Sequence, residues 1–190
     1  MKINLAHYSK FPLLDQLFTT PQVEKAMKPR GLWVSCEHPD QDPTAEREWT
    51  SWVGWCHGEQ WLLDRLRYRA AVTLHDDANL IHLTTMDEIL AFDKKFHAPL
   101  DEVQLRLMNC RYHIDWPRVA EHYQGILIYP YCYRLRLSEI MWYYPWDCAS
   151  GCIWDVAAIK HIVRTKGYVP SHKETRDERY PTTEPDPSPA

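Results

Sequence analysis

The chain has 190 residues, 45% of them hydrophobic and 25% charged, which suits one soluble core and is short for two domains. A net charge of -4 with no block of Lys and Arg excludes a coat protein whose affinity rests on neutralising nucleic-acid phosphates. It leaves room for an enzyme that meets nucleic acid briefly.

The opening MKINLAHYSKF lacks the apolar stretch of a signal peptide, and no apolar run reaches the roughly 18 residues of a membrane span. The expected location is cytoplasmic, with no membrane partner. Six cysteines in that compartment read as free thiols or metal ligands rather than disulfides. Trp and Tyr number 9 and 11 against 4 Phe. Such residues suit a cleft for a flat ligand, and they also fill cores.

In chain order, Ile3, Leu5 and His7 alternate along residues 2–9, the period of a strand. Residues 12–27 have helical spacing broken near Thr19, Thr20 and Pro21, which predicts two short helices. Lys28-Pro29-Arg30-Gly31 predicts a turn, and residues 32–36 a strand. Residues 37–43 read as a loop. Thr44, Arg47 and Glu48 open a predicted helix that carries Trp49, Trp52, Val53 and Cys56.

Residues 68–74 (YRAAVTL) and 80–83 predict two strands around a turn at residues 76–79. Thr84 or Thr85 caps a predicted helix with Met86, Ile89, Leu90 and Phe92 on its apolar face. A helix through Val103 and Leu107 is expected within residues 97–113. Asp115 caps a short helix with Pro117 near its start. Residues 125–129 (GILIY) predict a buried strand, residues 131–144 a partly helical aromatic stretch, residues 152–154 a strand and residues 157–163 a closing helix.

Elements of both kinds without strict alternation predict an α+β domain over residues 1–164. Residues 165–190, charged and Pro-rich, are expected to be a disordered tail.

Four blocks resemble the NAD-dependent ADP-ribosyltransferases, in the branch with His on the first strand. They are Leu5-Ala6-His7-Tyr8-Ser9, Gly31-Leu32-Trp33-Val34-Ser35, the run from Tyr68 to Phe92, and Gly125-Ile126 with Cys152-Ile153-Trp154-Asp155 and Ala158-Ile159-Lys160. The resemblance implies a single-domain split β-sandwich with flanking helices. It further implies NAD as substrate and transfer of ADP-ribose to a macromolecular acceptor, protein or nucleic acid. Small size and the lack of a targeting signal fit a phage or bacterial effector, acting in the host cytoplasm if phage-encoded.

The family's usual glutamate would fall in Ala149-Ser150-Gly151, where none is present, so the nearest acid, Asp147, inherits the catalytic role. Cleavage of the nicotinamide–ribose bond passes through an oxocarbenium-like state, which a carboxylate stabilises. His7 is assigned to donate to a ribose hydroxyl while the backbone fixes its other nitrogen. Tyr8, Ser9, Gly31, Trp33, Ser35 and Trp52 complete the expected NAD contacts, with Trp33 or Tyr8 stacking on nicotinamide. Asp155 is assigned a structural role.

Other readings remain open from the residues themselves. A binding protein would keep the fold without the chemistry. A zinc deaminase would use His57 and Glu59 of Cys56-His57-Gly58-Glu59, with Cys148 and Cys152, against the motif's missing proline and altered spacing. Cys110, His113, Cys148 and Cys152 offer a structural zinc site. The assigned site residues include no metal ligand.

Overall fold

The computed structural model describes residues 3–14, 16–24, 26–38, 51–100, 102 and 112–165. The predicted helix start at Thr44–Trp49, Val103, Leu107, Cys110 and residues 166–190 lie outside them.

Strands β1 (Asn4–Ser9), β2 (Leu32–Glu37), β3 (Tyr68–Leu74), β4 (Leu80–Leu83), β7 (Gly125–Ile128), β8 (Ser150–Ile153) and β9 (Ile159–Thr165) form one seven-stranded sheet. Its order is β4-β7-β8-β2-β1-β3-β9. Only β4 and β7 run parallel. A separate two-stranded ribbon pairs β5 (His97–Pro99) with β6 (Tyr112–Ile114). Helices α1 (Trp52–Glu59), α2 (Met86–Phe96) and α3 (Trp116–Ala120) accompany the sheet. The mixed α+β expectation therefore holds.

The seam between β1 and β2 positions the site. That ladder has only three pairs, Asn4↔Glu37, Leu5↔Cys36 and Ala6↔Ser35. β1 continues along β3 as far as Ser9↔Tyr68, while β2 continues along β8 as far as Leu32↔Ile153. The two strands thus part company at His7.

Local chemistry explains α2 well. Thr85 accepts from the Glu88 N–H, and the Glu88 carboxylate accepts from the Thr85 N–H at 3.0 Å, a reciprocal capping box. Ile89, Phe92 and Phe96 then fall on the buried face. Thr85→Ala is expected to cost about 1 kcal/mol, read as a lower urea midpoint with an unchanged m-value.

Two sequence expectations fail. Residues 157–163 are a 3-10 turn (Val156–Ala158) followed by β9, not a helix. The β-branched Ile159, Ile162 and Val163 suit an extended backbone, and β3 supplies the pairing, from Arg69↔Thr165 to Leu74↔Ile159. Strand β9 runs through Thr165.

Residues 12–27 form no helix among the described residues. Their backbone is drawn into tertiary bonds instead: the Thr20 N–H donates to the Trp154 carbonyl at 2.8 Å, and Arg164 reaches the Leu14 carbonyl at 2.6 Å. The aromatic stretch at 131–144 holds one 3-10 turn, Tyr133–Leu135, and a second, Tyr144–Trp146, begins at its end.

The main core packs Ile89, Phe92, Phe96, Trp116, Trp142, Trp146 and Trp154 against the sheet. A smaller cluster of Trp55, Cys56, Leu66 and Cys148, with Tyr8 and Trp52 alongside, seats α1.

Candidate functional site

His7 sits where the β1–β2 ladder opens. Its Nδ1 lies 2.8 Å from the Trp33 carbonyl. A carbonyl only accepts, so Nδ1 carries the proton. Burial lowers the imidazole pKa below its ordinary 6.5, against the raising effect of the Trp33 carbonyl. The neutral ring therefore presents a bare Nε2. This corrects the expected polarity: His7 would accept a hydrogen bond from a ribose hydroxyl rather than donate one.

The same shift fixes a pH dependence. Between the lowered folded value and 6.5 the unfolded chain binds the extra proton, so stability is present above that window and lost as pH falls through it. His7→Gln is expected to flatten the fall of the urea midpoint between pH 7 and pH 5 relative to wild type. An unchanged profile would show that burial leaves His7 unaffected.

Asp147 ends the aromatic turn Tyr144–Trp146 with φ 64° and ψ -39°, and the Cys148 N–H closes onto the Trp146 carbonyl at 2.7 Å. This is a γ-turn of positive φ, a rare and strained form that costs about 1–3 kcal/mol. The carboxylate meets Arg136 at 2.9 Å. Burial pushes its pKa up, Lys28 and Arg136 pull it back, and Glu59 adds to the rise. The net direction is upward, so desolvation outweighs both cations.

Lys28 lies 4.7 Å above the Trp33 ring, and that ring lies 4.8 Å from Trp146. Burial lowers the Lys28 pKa while Asp147 opposes the fall. Lys28, Arg136 and Asp147 thus form one half-buried charge cluster beside the Trp33–Trp146 ring pair. His7 and Asp147 meet through Trp33, one at its carbonyl and the other beside its ring pair, rather than through each other.

Three buried polar atoms in the packing near this cluster find no hydrogen-bond partner among the described residues: Trp55 Nε1, Tyr131 Oη and Trp146 Nε1. Each unsatisfied group of this kind costs about 1–3 kcal/mol. Trp146 adjoins Asp147, Tyr131 is electrostatically coupled to it, and Trp55 packs beside Cys148.

The remaining expected contacts have structural duties. Tyr8 leaves the opposite face of β1 from His7 and donates to Glu37 at 2.5 Å, with Arg69 bridging both. Ser9 donates to the Phe11 carbonyl at 2.6 Å, a turn bond. Gly31 has φ 152°, and a Cβ there would lie 2.4 Å from the Ile153 carbonyl oxygen.

Ser35, 3% exposed, accepts from the Trp52 N–H at 2.9 Å and so anchors α1, whose cap is Ser51. Trp52 stacks on Trp55 at 5.2 Å. Asp155 accepts from Gln124, Thr19 and the Ala157 N–H, as a structural residue would.

The packing at residues 149–151, where the resemblance would place a glutamate, leaves no room for one. A Cβ on Gly151 would lie 2.3 Å from Leu127 Cδ2 and 2.6 Å from the Ile126 oxygen. Ala149 is fully buried and Ser150 is 6% exposed. No long acid fits there, and Asp147 is the first partly exposed position before β8.

Lys28 and Arg136 were not among the expected site residues, and Glu59 entered only as the acid of the zinc-deaminase alternative. They come from three distant segments with no shared motif, so only the fold could assemble them. Among the described residues no group of three His, Cys, Asp or Glu could hold a metal, so His57, Cys148 and Cys152 do not build a zinc centre. Among the described residues, no helix is long and apolar enough to cross a membrane. No family model, curated protein or solved structure matches the chain.

Proposed function

We propose that this protein is an NAD-dependent ADP-ribosyltransferase of the split-sheet type, with its cleft at the β1–β2 seam. The observation that carries the reading is a desolvated carboxylate, Asp147, held in a strained turn between two cations and beside paired indoles. Strained, desolvated acids in clefts are the usual mark of chemistry rather than packing.

In this reading Trp33 and Trp146 flank the nicotinamide ring, and Lys28 and Arg136 face the pyrophosphate. His7 Nε2 accepts from a ribose hydroxyl. The C1′–N bond breaks and its electron pair returns to the nicotinamide nitrogen. Asp147 stabilises the developing positive charge. The acceptor then bonds to C1′ and releases its proton to water.

Titration calorimetry with NAD and release of nicotinamide test the proposal. Absence of both would end it. A second reading, a binding protein that keeps the cleft, is favoured by the ion pair that already occupies Asp147. It predicts NAD or nucleotide binding without nicotinamide release.

A further inference from the structure

The proposed transfer leaves the acceptor's proton to be removed, and Asp147 is poorly placed to take it. Its carboxylate is held by Arg136 at 2.9 Å and answers to the charge that develops at C1′. A second carboxylate, Glu59, stands within electrostatic reach of Asp147.

Helix α1 sets Glu59 there. Trp55 and Cys56 are buried residues of that helix and pack with Cys148, the neighbour of Asp147. Glu59 follows Trp55 by four residues and Cys56 by three, so all three share one helical stripe. The charge of Asp147 accordingly acts on Cys56 as well as meeting that of Glu59. Trp55 and Cys56 are buried and Glu59 is exposed. The stripe therefore leaves the packing and meets solvent at the carboxylate.

Stability alone would not choose this place for an acid. Glu59 is the last residue of α1, where the negative end of the helix dipole favours Lys or Arg. Asp147 adds a like charge. The cations nearby are Lys28 and Arg136, which act on Asp147, and Arg65, which acts on Cys56. Among the described residues, none of them forms an ion pair with Glu59.

From this placement we infer that Glu59 is the general base of the transferase, taking the proton from an acceptor hydroxyl, of which water is the smallest. The inference rests on the proposed function. As the acceptor oxygen bonds to C1′, the C1′–N bond breaks and nicotinamide leaves with the electron pair. The hydroxyl proton passes to Glu59, which returns it to solvent. Two carboxylates then divide the work as in glycoside cleavage, Asp147 at the developing charge and Glu59 at the incoming group. A desolvated acid suits the first task. An exposed one suits the second, because the acceptor reaches it from solution.

Azide separates this role from a structural one, since it is an anionic nucleophile with no proton to remove. The full chain is incubated with NAD in water, with and without sodium azide, and nicotinamide and the ribosyl product are followed by chromatography. Glu59→Ala is expected to slow nicotinamide release in water about 10²-fold. Azide is expected to restore most of that rate, with ADP-ribosyl azide as the product. Asp147→Asn is expected to gain nothing from azide, because its defect lies in the charge at C1′. Calorimetric NAD affinity and the thermal midpoint of Glu59→Ala are expected to be no lower than those of wild type, as the change removes an acid from a helix C-terminus.

Wild-type turnover in Glu59→Ala, or a loss that azide does not restore, overturns the base and leaves the transferase reading in place. Absence of nicotinamide release from wild type overturns both.

Discussion

Asp147→Asn is expected to slow nicotinamide release from NAD by about 10²–10³-fold, the scale of losing one electrostatic partner of a developing charge. The substitution keeps shape, and asparagine tolerates positive φ as aspartate does, so the γ-turn at Trp146–Cys148 survives. Stability is expected not to fall. Because the folded pKa of Asp147 lies above 3.8, the folded state binds the extra proton. Its ionisation therefore costs stability as pH rises from 3.8 through the folded value. Asparagine removes that cost.

Activity lost without stability lost is the signature of a group placed for chemistry. The acid limb of wild-type turnover is expected to lie above 3.8 for the same reason. Nicotinamide release that survives in Asp147→Asn would move the chemistry to another acid, and Glu59 is the one whose charge already reaches Asp147.

The second large effect is structural. Trp116 has no exposed surface, and its ring packs on Phe92, Trp142 and Trp154 at 6.0–6.5 Å between centroids. Trp116→Ala is expected to cost about 3–5 kcal/mol and to lower the thermal midpoint by roughly 10 °C. The indole N–H also donates to the Ala26 carbonyl at 2.9 Å, two residues before Lys28.

Trp116→Phe keeps most of the packing and loses that bond. It is expected to cost about 1 kcal/mol and to weaken NAD binding more than its stability change accounts for, because Lys28 loses its tether. Equal binding by wild type and Trp116→Phe would show that the 26–30 segment is held by other contacts. Gln22, bonded to both the N–H and the carbonyl of Arg30, is the first alternative.

The sequence read best where a few adjacent residues settle the structure. The Thr85 cap of α2 and the Asp115 cap with Pro117 behind it appear as expected, since capping satisfies backbone donors within one turn. Strands β3 and β4 match residues 68–74 and 80–83, because an apolar run beside a turn suits little else. His7 and Asp147 could be singled out from flanking residues alone. Their hydrogen-bonding roles could not, and the proton on His7 was placed only by the Trp33 carbonyl.

What needed the tertiary structure is where two conformations were close in local preference. Residues 159–165 carry enough apolar positions for a helix, and the free edge of β3 made them a strand. Residues 12–27 have helical spacing, and the carbonyl of Trp154 and the side chain of Arg164 drew their backbone elsewhere. The mixed α+β character, the capped helices and an acid at Asp147 are determined by the sequence itself, through contacts a few residues long. The β1–β2 seam and the meeting of Lys28, Arg136 and Asp147 beside Trp33 were decided by the fold. Burial and pairing between distant segments set those energies, and no local pattern encodes them.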